Sequence, residues 1–317
     1  MAAHRHYDPT NDLVFKFVFG REERKNITLR FINDMTGREG NRAFVDLDFG
    51  NGEFAPTKAD EKLGRLDVFG ILNDRSRVDI EMQVFNHMNM EKRALFYWAQ
   101  MYLHFEALQK GQPYRQIKPA ISINILRFPY LPTDEPFSKY GIYNIENGHL
   151  LSHDLEIDFL EIPKYKDKPV KDMTRIERWL AYFANRLDPA EKEELAMQAP
   201  EIKDAMEASD RFLMDDKAYW EYIQRESAIW DYNSDVLDAK EQAREEGMQM
   251  GMQEGIEQGR QQGIEQGRQQ GIEQGEGKIV LNLLKAGQGV STVEQLSGWP
   301  RKKILSFAEK HGVKTEA

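Results

Sequence analysis

The stretch LDVFGILNDRSRVDIEMQVF, residues 66–85, alternates apolar and polar side chains on both sides of a turn-rich middle, NDRSR. Alternation with a period of two is typical of β-strands that bury one face, and Asn, Asp and Ser between two such runs indicate a turn. The stretch therefore predicts a β-hairpin with strands over residues 66–72 and 78–85. Its apolar face consists of the even-numbered residues Leu66, Val68, Gly70 and Leu72 on the first strand and Val78, Ile80, Met82 and Val84 on the second.

The odd-numbered positions of this hairpin carry Asp67, Glu81 and Gln83. If the turn centres near Arg75, paired positions sum to about 150 and Asp67 lies opposite Gln83. Opposed residues of an antiparallel pair share a face, so the three side chains converge. Two carboxylates roughly 5 to 8 Å apart repel each other, and a divalent cation such as Mg²⁺ or Mn²⁺ relieves that repulsion. The alternative, from the hairpin alone, is a solvated strand face with carboxylates by chance.

The residues around the hairpin predict helices and further strands. Apolar residues at spacings of three and four predict a helix over 11–34, which Gly37 ends. The other predicted elements are a strand over 44–49, a helix over 90–109, a strand over 120–126, weaker strands near Tyr143 and over 155–162, and helices throughout 172–246. The order of helix, three strands, helix and strand predicts an α/β layered core.

Four segments together resemble a known family. They are NDLVFKFVF at 11–19, RLDV at 65–68, DIEMQ at 79–83 and the helix from Arg93 through Tyr97 to Tyr102. This set, which covers roughly residues 5 to 130, is similar to the bacterial Rpn group of recombination-promoting nucleases and transposases, a branch of the PD-(D/E)XK superfamily. The resemblance implies a restriction-endonuclease-like core with a mixed central sheet flanked by helices, here followed by a helical C-terminal extension.

The same resemblance implies roles for the hairpin residues. In the superfamily the Asp of the second strand and the Glu of the third bind the metal ion, and these fall on Asp67 and Glu81. The third motif residue, usually Lys, falls on Gln83, and Leu66 stands where the Asp usually follows Pro. The implied activity is Mg²⁺-dependent (Mn²⁺ is the other candidate ion) endonucleolytic cleavage of DNA, linked to recombination or mobile elements.

Two helical pairs have both a functional and a structural interpretation. Asp12 and Lys16 are one turn apart, and superfamily members often place an acidic residue of the first helix at the site, so Asp12 is a further catalytic candidate. The structural interpretation is a surface ion pair. Arg93 and Tyr97 lie on the helix after the hairpin. A role in phosphate contact and a role in packing agree equally well with their positions.

Composition restricts the class of protein but leaves its partner open. The net charge is −10, yet residues 188–246 hold 18 Asp and Glu against 7 Lys and Arg, so the remainder is close to neutral. A near-neutral domain can bind DNA through locally placed Lys and Arg. The absence of Cys excludes disulfides and thiolate zinc sites. No run of about 18 apolar residues occurs, so we expect no membrane association and a cytoplasmic location.

A glycine recurs at every fourth position from Gly247 to Gly275. Each glycine inside a helix costs about 1 kcal/mol relative to alanine, so the array either forms a flexible or partly helical spacer or lets two helices approach closely in a dimer. The tail from 278 to 310 predicts three short helices with a basic run at 301–303. It fits a helix-turn-helix, but we favour a small capping bundle that aids oligomerisation.

We therefore expect four regions, namely a nuclease-like domain over 1–165, an acidic helical region over 166–246, a glycine-repeat helix or linker over 247–277 and a small helical tail over 278–317. The predicted function is a metal-dependent DNA endonuclease that forms a homodimer or homo-oligomer through residues 247–317. The alternative is a catalytically silent DNA- or protein-binding module of the same fold, oligomerised by its repeat tail. Gln83 in place of the lysine favours this alternative, whereas the intact pair of Asp67 and Glu81 disfavours it.

Overall fold

A mixed β-sheet forms the centre of the fold. The computed structural model describes residues 5–52, 66–86, 88–104 and 113–315. Within these residues the sheet has six strands in the order β1-β2-β3-β4-β6-β5. The strands are β1 (Leu47–Phe49), β2 (Val68–Leu72), β3 (Arg77–Gln83), β4 (Ala120–Leu126), β5 (Phe137–Tyr143) and β6 (Leu150–Glu161). The pairs β3–β4 and β4–β6 are parallel and the other pairs are antiparallel, which confirms the predicted α/β class.

The register of the β2–β3 hairpin differs from the prediction by two residues. Val68 pairs with Ile80 and Phe69 with Asp79, so Asp67 lies beside Glu81 rather than opposite Gln83, and the predicted pairing was wrong. The turn is tighter than expected, because Arg75 adopts a left-handed conformation with φ 72°. A shift of two residues preserves which side chains share a face, so the odd-numbered polar residues still converge.

The first predicted helix is interrupted at Gly20. Helix α1 (Asp12–Phe19) is capped by the side chain of Asn11, and after a 3-10 turn helix α2 (Lys25–Thr36) follows. A Cβ at Gly20 would lie 2.8 Å from the carbonyl oxygen of Lys16, so a larger residue at this position would require the backbone to shift. Gly37 ends α2 with φ 67°, as predicted.

The helices cover both faces of the sheet. Helix α3 (Met90–His104) packs on the face that carries Phe69, Leu126 and Phe159. The predicted continuation of this helix to 109 lies outside the described residues. The opposite face, with Val78 and Ile80, packs against α1, α2 and the later helices in the main hydrophobic core. Leu66 was predicted on that face, but it lies under α3 with Phe69 and Tyr97, because it precedes β2 and its backbone leaves the strand's alternation.

The segment 172–246, predicted as helical throughout, contains breaks. The helices are α4 (Arg175–Ala184), α5 (Pro189–Gln198), α6 (Pro200–Met214) and α7 (Asp216–Lys285). Thr174 and Asp188 each form a capping box at a helix start, and Asn185 ends α4 in the left-handed conformation. These local signals override the helical periodicity. Helices α4 to α6 contribute to the same core as the sheet.

The chain divides into two compact units, residues 1–230 and 231–317. In the second unit, helix α7 continues through the whole glycine array, and α8 (Val290–Ser297) and α9 (Arg301–Lys310) follow. The four predicted regions stay a prediction about domain organisation. None of the described helices is long and apolar enough to cross a membrane.

Candidate active site

Hydrogen bonds across the start of the hairpin link Asp67 to Glu81 and to the next residue, Met82. The backbone N–H of Asp67 donates to Oε1 of Glu81 over 3.1 Å, and the backbone N–H of Met82 donates to Oδ2 of Asp67 over 3.1 Å. Continuation of the β2–β3 register beyond Val68 places the two acidic residues opposite each other. The Glu81 side chain is 1% exposed and that of Asp67 is 18% exposed. The pair therefore has a buried inner carboxylate and a more accessible outer one.

Two cations from different helices contact this pair. Nζ of Lys16, on α1, lies 2.8 Å from Oδ1 of Asp67, and Nη2 of Arg93, on α3, lies 3.1 Å from Oε2 of Glu81. Because α1 and α3 cover opposite faces of the sheet, the site lies where both helices reach the end of the hairpin. The Arg93 guanidinium also lies 5.0 Å from the centroid of the Tyr97 ring, which fixes its position by a cation–π contact.

Gln83 completes the inner part of the site. Its Nε2 donates to Oε2 of Glu81 over 2.8 Å, so this oxygen accepts from both Gln83 and Arg93. The side chains of Gln83 and Glu81 share a face because they are two residues apart on one strand. The amide donor holds Glu81 in one orientation but carries no charge.

Asp79 is a third carboxylate beneath the pair; it begins the segment DIEMQ at 79–83 but was not among the site residues predicted from the sequence. It is fully buried, and among the described residues neither of its carboxylate oxygens has a hydrogen-bond partner. In the parallel β3–β4 register it pairs with Ser122, and Glu81 pairs with Asn124, both of which are buried. The parity of the strand predicted its face, but the depth of its burial follows from α3 and β4, which the hairpin sequence does not specify.

The buried carboxyls share an unfavourable electrostatic environment. Burial, followed by the negative charge of Asp67, raises the pKa of Glu81 to about 7, and Arg93 opposes this shift. Burial also raises the pKa of Asp79 well above its usual range, with contributions from Glu81 and Asp67. Three carboxylates face two cations, Lys16 and Arg93, so a fully ionised site is deficient in positive charge.

This donor set fits a divalent cation of the Mg²⁺ type. Among the described residues no three His, Asp or Glu side chains form a group that could hold a metal ion. Mg²⁺, however, is typically bound by one or two carboxylates, with waters and substrate phosphates as its other ligands. Asp67 and Glu81 supply two hard oxygen donors at a place where added positive charge offsets the excess of carboxylates.

The predicted residues differ in where the structure places them. Asp67, Glu81 and Gln83 are brought together, and Lys16 and Arg93 lie with them. Asp12 points elsewhere, since its Oδ1 accepts from Nε of Arg225 over 2.8 Å. One turn of α1 separates Asp12 from Lys16, and only Lys16 contacts the carboxylate pair.

The cluster lies in the part of the chain that matches a known protein family. A family model described as PD-(D/E)XK nuclease family transposase matches residues 9–239, nearly three quarters of the chain. The match includes the hairpin, α1 and α3, and therefore every residue of the cluster. No curated protein and no solved structure matches the chain significantly.

Proposed function

The chain belongs to the PD-(D/E)XK nuclease family transposases, and from that premise we propose that it is a metal-dependent DNA endonuclease. Asp67 and Glu81 hold Mg²⁺ in this proposal, with Mn²⁺ as a substitute. The observation that supports it most is the hydrogen-bonded Asp67–Glu81 pair, buried beside a further carboxylate whose charge the two neighbouring cations do not balance.

The bound cation would contribute Lewis acidity and a more nucleophilic water for phosphodiester hydrolysis. Glu81 is the anchoring ligand, because Gln83 and Arg93 fix its orientation. Asp67 is the more accessible ligand, on the side from which a DNA phosphate arrives. Gln83 cannot ionise at neutral pH, so its proposed role is to orient the attacking water or the scissile phosphate.

In this proposal Lys16 supplies the positive charge that the motif lysine usually supplies at the position of Gln83. Its ammonium group already lies beside the outer carboxylate at 2.8 Å, and its side chain is 37% exposed, so it is accessible to a phosphate oxygen. We assign it the stabilisation of negative charge that develops during cleavage. Asp12 stays a prediction, because a role in cleavage requires the Asp12–Arg225 ion pair to open.

The alternative function is a catalytically silent relative that binds DNA or protein. One observation favours it: in the structure each carboxylate of the pair already has a cationic partner, Lys16 for Asp67 and Arg93 for Glu81. Such internal pairs can serve stability alone. Metal binding separates the two proposals, because the silent relative gains nothing from a divalent ion.

The wider biology follows from the same premise. We propose that cleavage serves recombination or the movement of mobile elements, and that residues 247–317 pair two copies of the chain. A long exposed helix bearing a glycine stripe supports the pairing. The absence of Cys fits a reducing compartment, and we place the protein in the cytoplasm.

The first test is incubation of the purified chain with supercoiled plasmid in Mg²⁺, Mn²⁺ or EDTA. We expect nicked and then linear DNA with either metal and no product in EDTA. Cleavage that persists in EDTA would contradict a metal-dependent nuclease. Tight DNA binding with no cleavage under any metal would favour the silent relative.

A further inference from the structure

The last two helices form a helix-turn-helix. Helices α8 and α9 are joined by only three residues, Gly298, Trp299 and Pro300. Gly298 has φ 71°, and its N–H caps α8 by donating to the carbonyl of Glu294 over 3.0 Å. A connection of three residues that contains a glycine is typical of this motif. The sequence alone favoured a capping bundle for this tail.

A small hydrophobic core fixes the inner face of α9. Ile304 and Ala308 of α9 are buried with Trp299 of the turn, Val293 of α8 and Val280 of α7. The indole Nε1 of Trp299 donates to Oε2 of Glu276 over 2.8 Å, which attaches the turn to α7. With one face of α9 held in this way, its other face is fixed in orientation and exposed.

The exposed face of α9 is basic and has the composition of a DNA-contacting surface. It carries Arg301, Lys302, Leu305, Ser306, Glu309 and Lys310, all exposed, with Leu305 at 39%, so three cations lie with one carboxylate. Among the described residues Lys302 and Lys310 form no ion pair. The Arg301 side chain donates to the Ser291 hydroxyl over 3.3 Å, and the Arg301 backbone N–H donates to Oε1 of Glu294 over 2.9 Å. Arginine and lysine contact phosphates and guanine edges, serine accepts or donates to base edges, and an apolar side chain contacts the thymine methyl.

Charge separates this tail from the rest of the chain. Residues 273–315 hold seven Lys and Arg against four Glu, a net charge of +3, whereas the whole chain has −10. Lys303 is already paired within the tail: its Nζ lies 2.9 Å from Oε1 of Glu273, in an ion pair, and 4.0 Å from the centroid of the Trp299 ring, in a cation–π contact. In the described part of the tail, Arg301, Lys302 and Lys310 of α9 form no ion pair, and neither do Lys278, Lys285 and Lys314.

We propose that this helix-turn-helix binds duplex DNA, with the N-terminal part of α9 in the major groove. In this motif the second helix presents its first residues to the base edges, which here are Arg301, Lys302 and Leu305. The surface is separate from the Asp67–Glu81 site, and its binding requires neither a metal ion nor cleavage.

The test is fluorescence anisotropy of the full chain with a labelled 30-base-pair duplex in EDTA, at several salt concentrations. The test variant combines Arg301→Gln, Lys302→Gln and Lys310→Gln. The control variant, Lys171→Gln with Lys240→Gln and Arg244→Gln, removes the same charge from exposed positions outside the tail. We expect the test variant to bind at least about 10-fold more weakly and to lose about two to three units of salt slope, and the control variant to bind like the wild type.

A charge-retaining variant, Arg301→Lys with Lys302→Arg and Lys310→Arg, should bind within a few-fold of the wild type, and circular dichroism checks that each variant is folded. Equal weakening by the test and control variants would overturn the proposal, because binding would then follow net charge alone. Unchanged binding by the test variant, or no binding by the wild type, would also overturn it. If the wild type binds DNA in EDTA but does not cleave plasmid in Mg²⁺, the result would instead count against the proposed nuclease.

Discussion

The backbone nitrogen of Asp67 lies 3.1 Å from Oε1 of Glu81, so the start of one strand and the middle of the next are joined through the Glu81 side chain. The backbone N–H of Met82, the residue after Glu81, donates in return to Oδ2 of Asp67, so each carboxylate accepts a backbone hydrogen bond from the other side of the hairpin. A substitution that keeps shape but removes charge should therefore test chemistry with little change in the fold. Asn for Asp and Gln for Glu are the variants of choice.

Divalent cations should stabilise the folded protein. A ligand that binds only the native state at 100 times its Kd adds about 2.7 kcal/mol to the free energy of unfolding, which raises Tm by about 4 to 6 °C for a cooperative unit of 230 to 317 residues. We expect this shift for Mn²⁺ with the wild type and its loss in Glu81→Gln, measured by differential scanning calorimetry. Glu161→Gln is the control, since Glu161 is another buried Glu with a cationic partner, Lys164 at 2.7 Å. A shift of equal size in both variants would remove Glu81 from the metal site.

Lys16→Met should slow DNA cleavage by about 100-fold, as expected when a group that stabilises transition-state charge is removed. The control is Lys25→Met, because Lys25 has 35% side-chain exposure and its own acidic partners, Glu22 and Asp46. Single-turnover rates with saturating enzyme measure the effect. Lys16→Arg should recover part of the rate. A rate within a few-fold of the wild type for Lys16→Met would show that the ion pair with Asp67 is structural.

Asp158→Asn should stabilise the protein more at pH 8 than at pH 5. Burial raises the pKa of Asp158 well above its usual range; Lys139 opposes this shift, while Glu156 increases it. A carboxyl group whose pKa is higher in the folded state stabilises the fold while it is protonated, and this contribution is lost as the pH rises through the folded-state pKa. Asparagine stays neutral at both pH values, so its advantage over the wild-type Asp158 is larger at pH 8. Each pKa unit corresponds to about 1.4 kcal/mol. We therefore expect the free energy of unfolding, measured with urea at pH 8, to be higher for Asp158→Asn than for the wild type by about 1 kcal/mol or more. A gain that is the same at both pH values would contradict this.

The glycine array offers a test of subunit pairing. An added Cβ at Gly255, Gly259 or Gly263 meets no atom within 4 Å, so alanine fits the isolated helix and should increase its helicity by favouring the helical backbone. If two copies approach along this stripe, the triple alanine variant should weaken the dimer by roughly 10-fold through lost close contact. Sedimentation equilibrium measures the change.

The control for the pairing test is Gln253→Ala with Gln261→Ala and Gln269→Ala, on the same exposed helix. Its dimer should be at least as stable as that of the wild type. A monomeric wild type, or a dimer insensitive to the glycine changes, would make the array a helical spacer.

The parity of residues 66–85 sufficed to predict the hairpin and the convergence of its polar residues. It did not predict the register, because the turn tightens around the left-handed Arg75, and turn geometry is weakly encoded in NDRSR. It also did not predict that the polar face is buried. That burial comes from α3 and β4, which pack against Asp79 and Glu81 from distant parts of the chain.

The helical periodicity likewise predicted which segments form helices, but not the residues at which each helix begins and ends. Gly20 and the capping boxes at Thr174 and Asp188 divide segments whose periodicity continues across them. The spacing of Asp12 and Lys16 could not show which of them faces the site. That choice depends on Arg225, more than 200 residues later, which binds Asp12.

The most direct test of the central claim is the single-turnover rate of plasmid cleavage in Mg²⁺ by Asp67→Asn and Glu81→Gln, each beside a matched control. Asp48→Asn, an exposed Asp on β1, controls for the first, and Glu161→Gln controls for the second. We predict a loss of about 100-fold or more in each site variant, with both controls within a few-fold of the wild type and all four proteins folded. Cleavage by Asp67→Asn and Glu81→Gln at the wild-type rate would contradict the account.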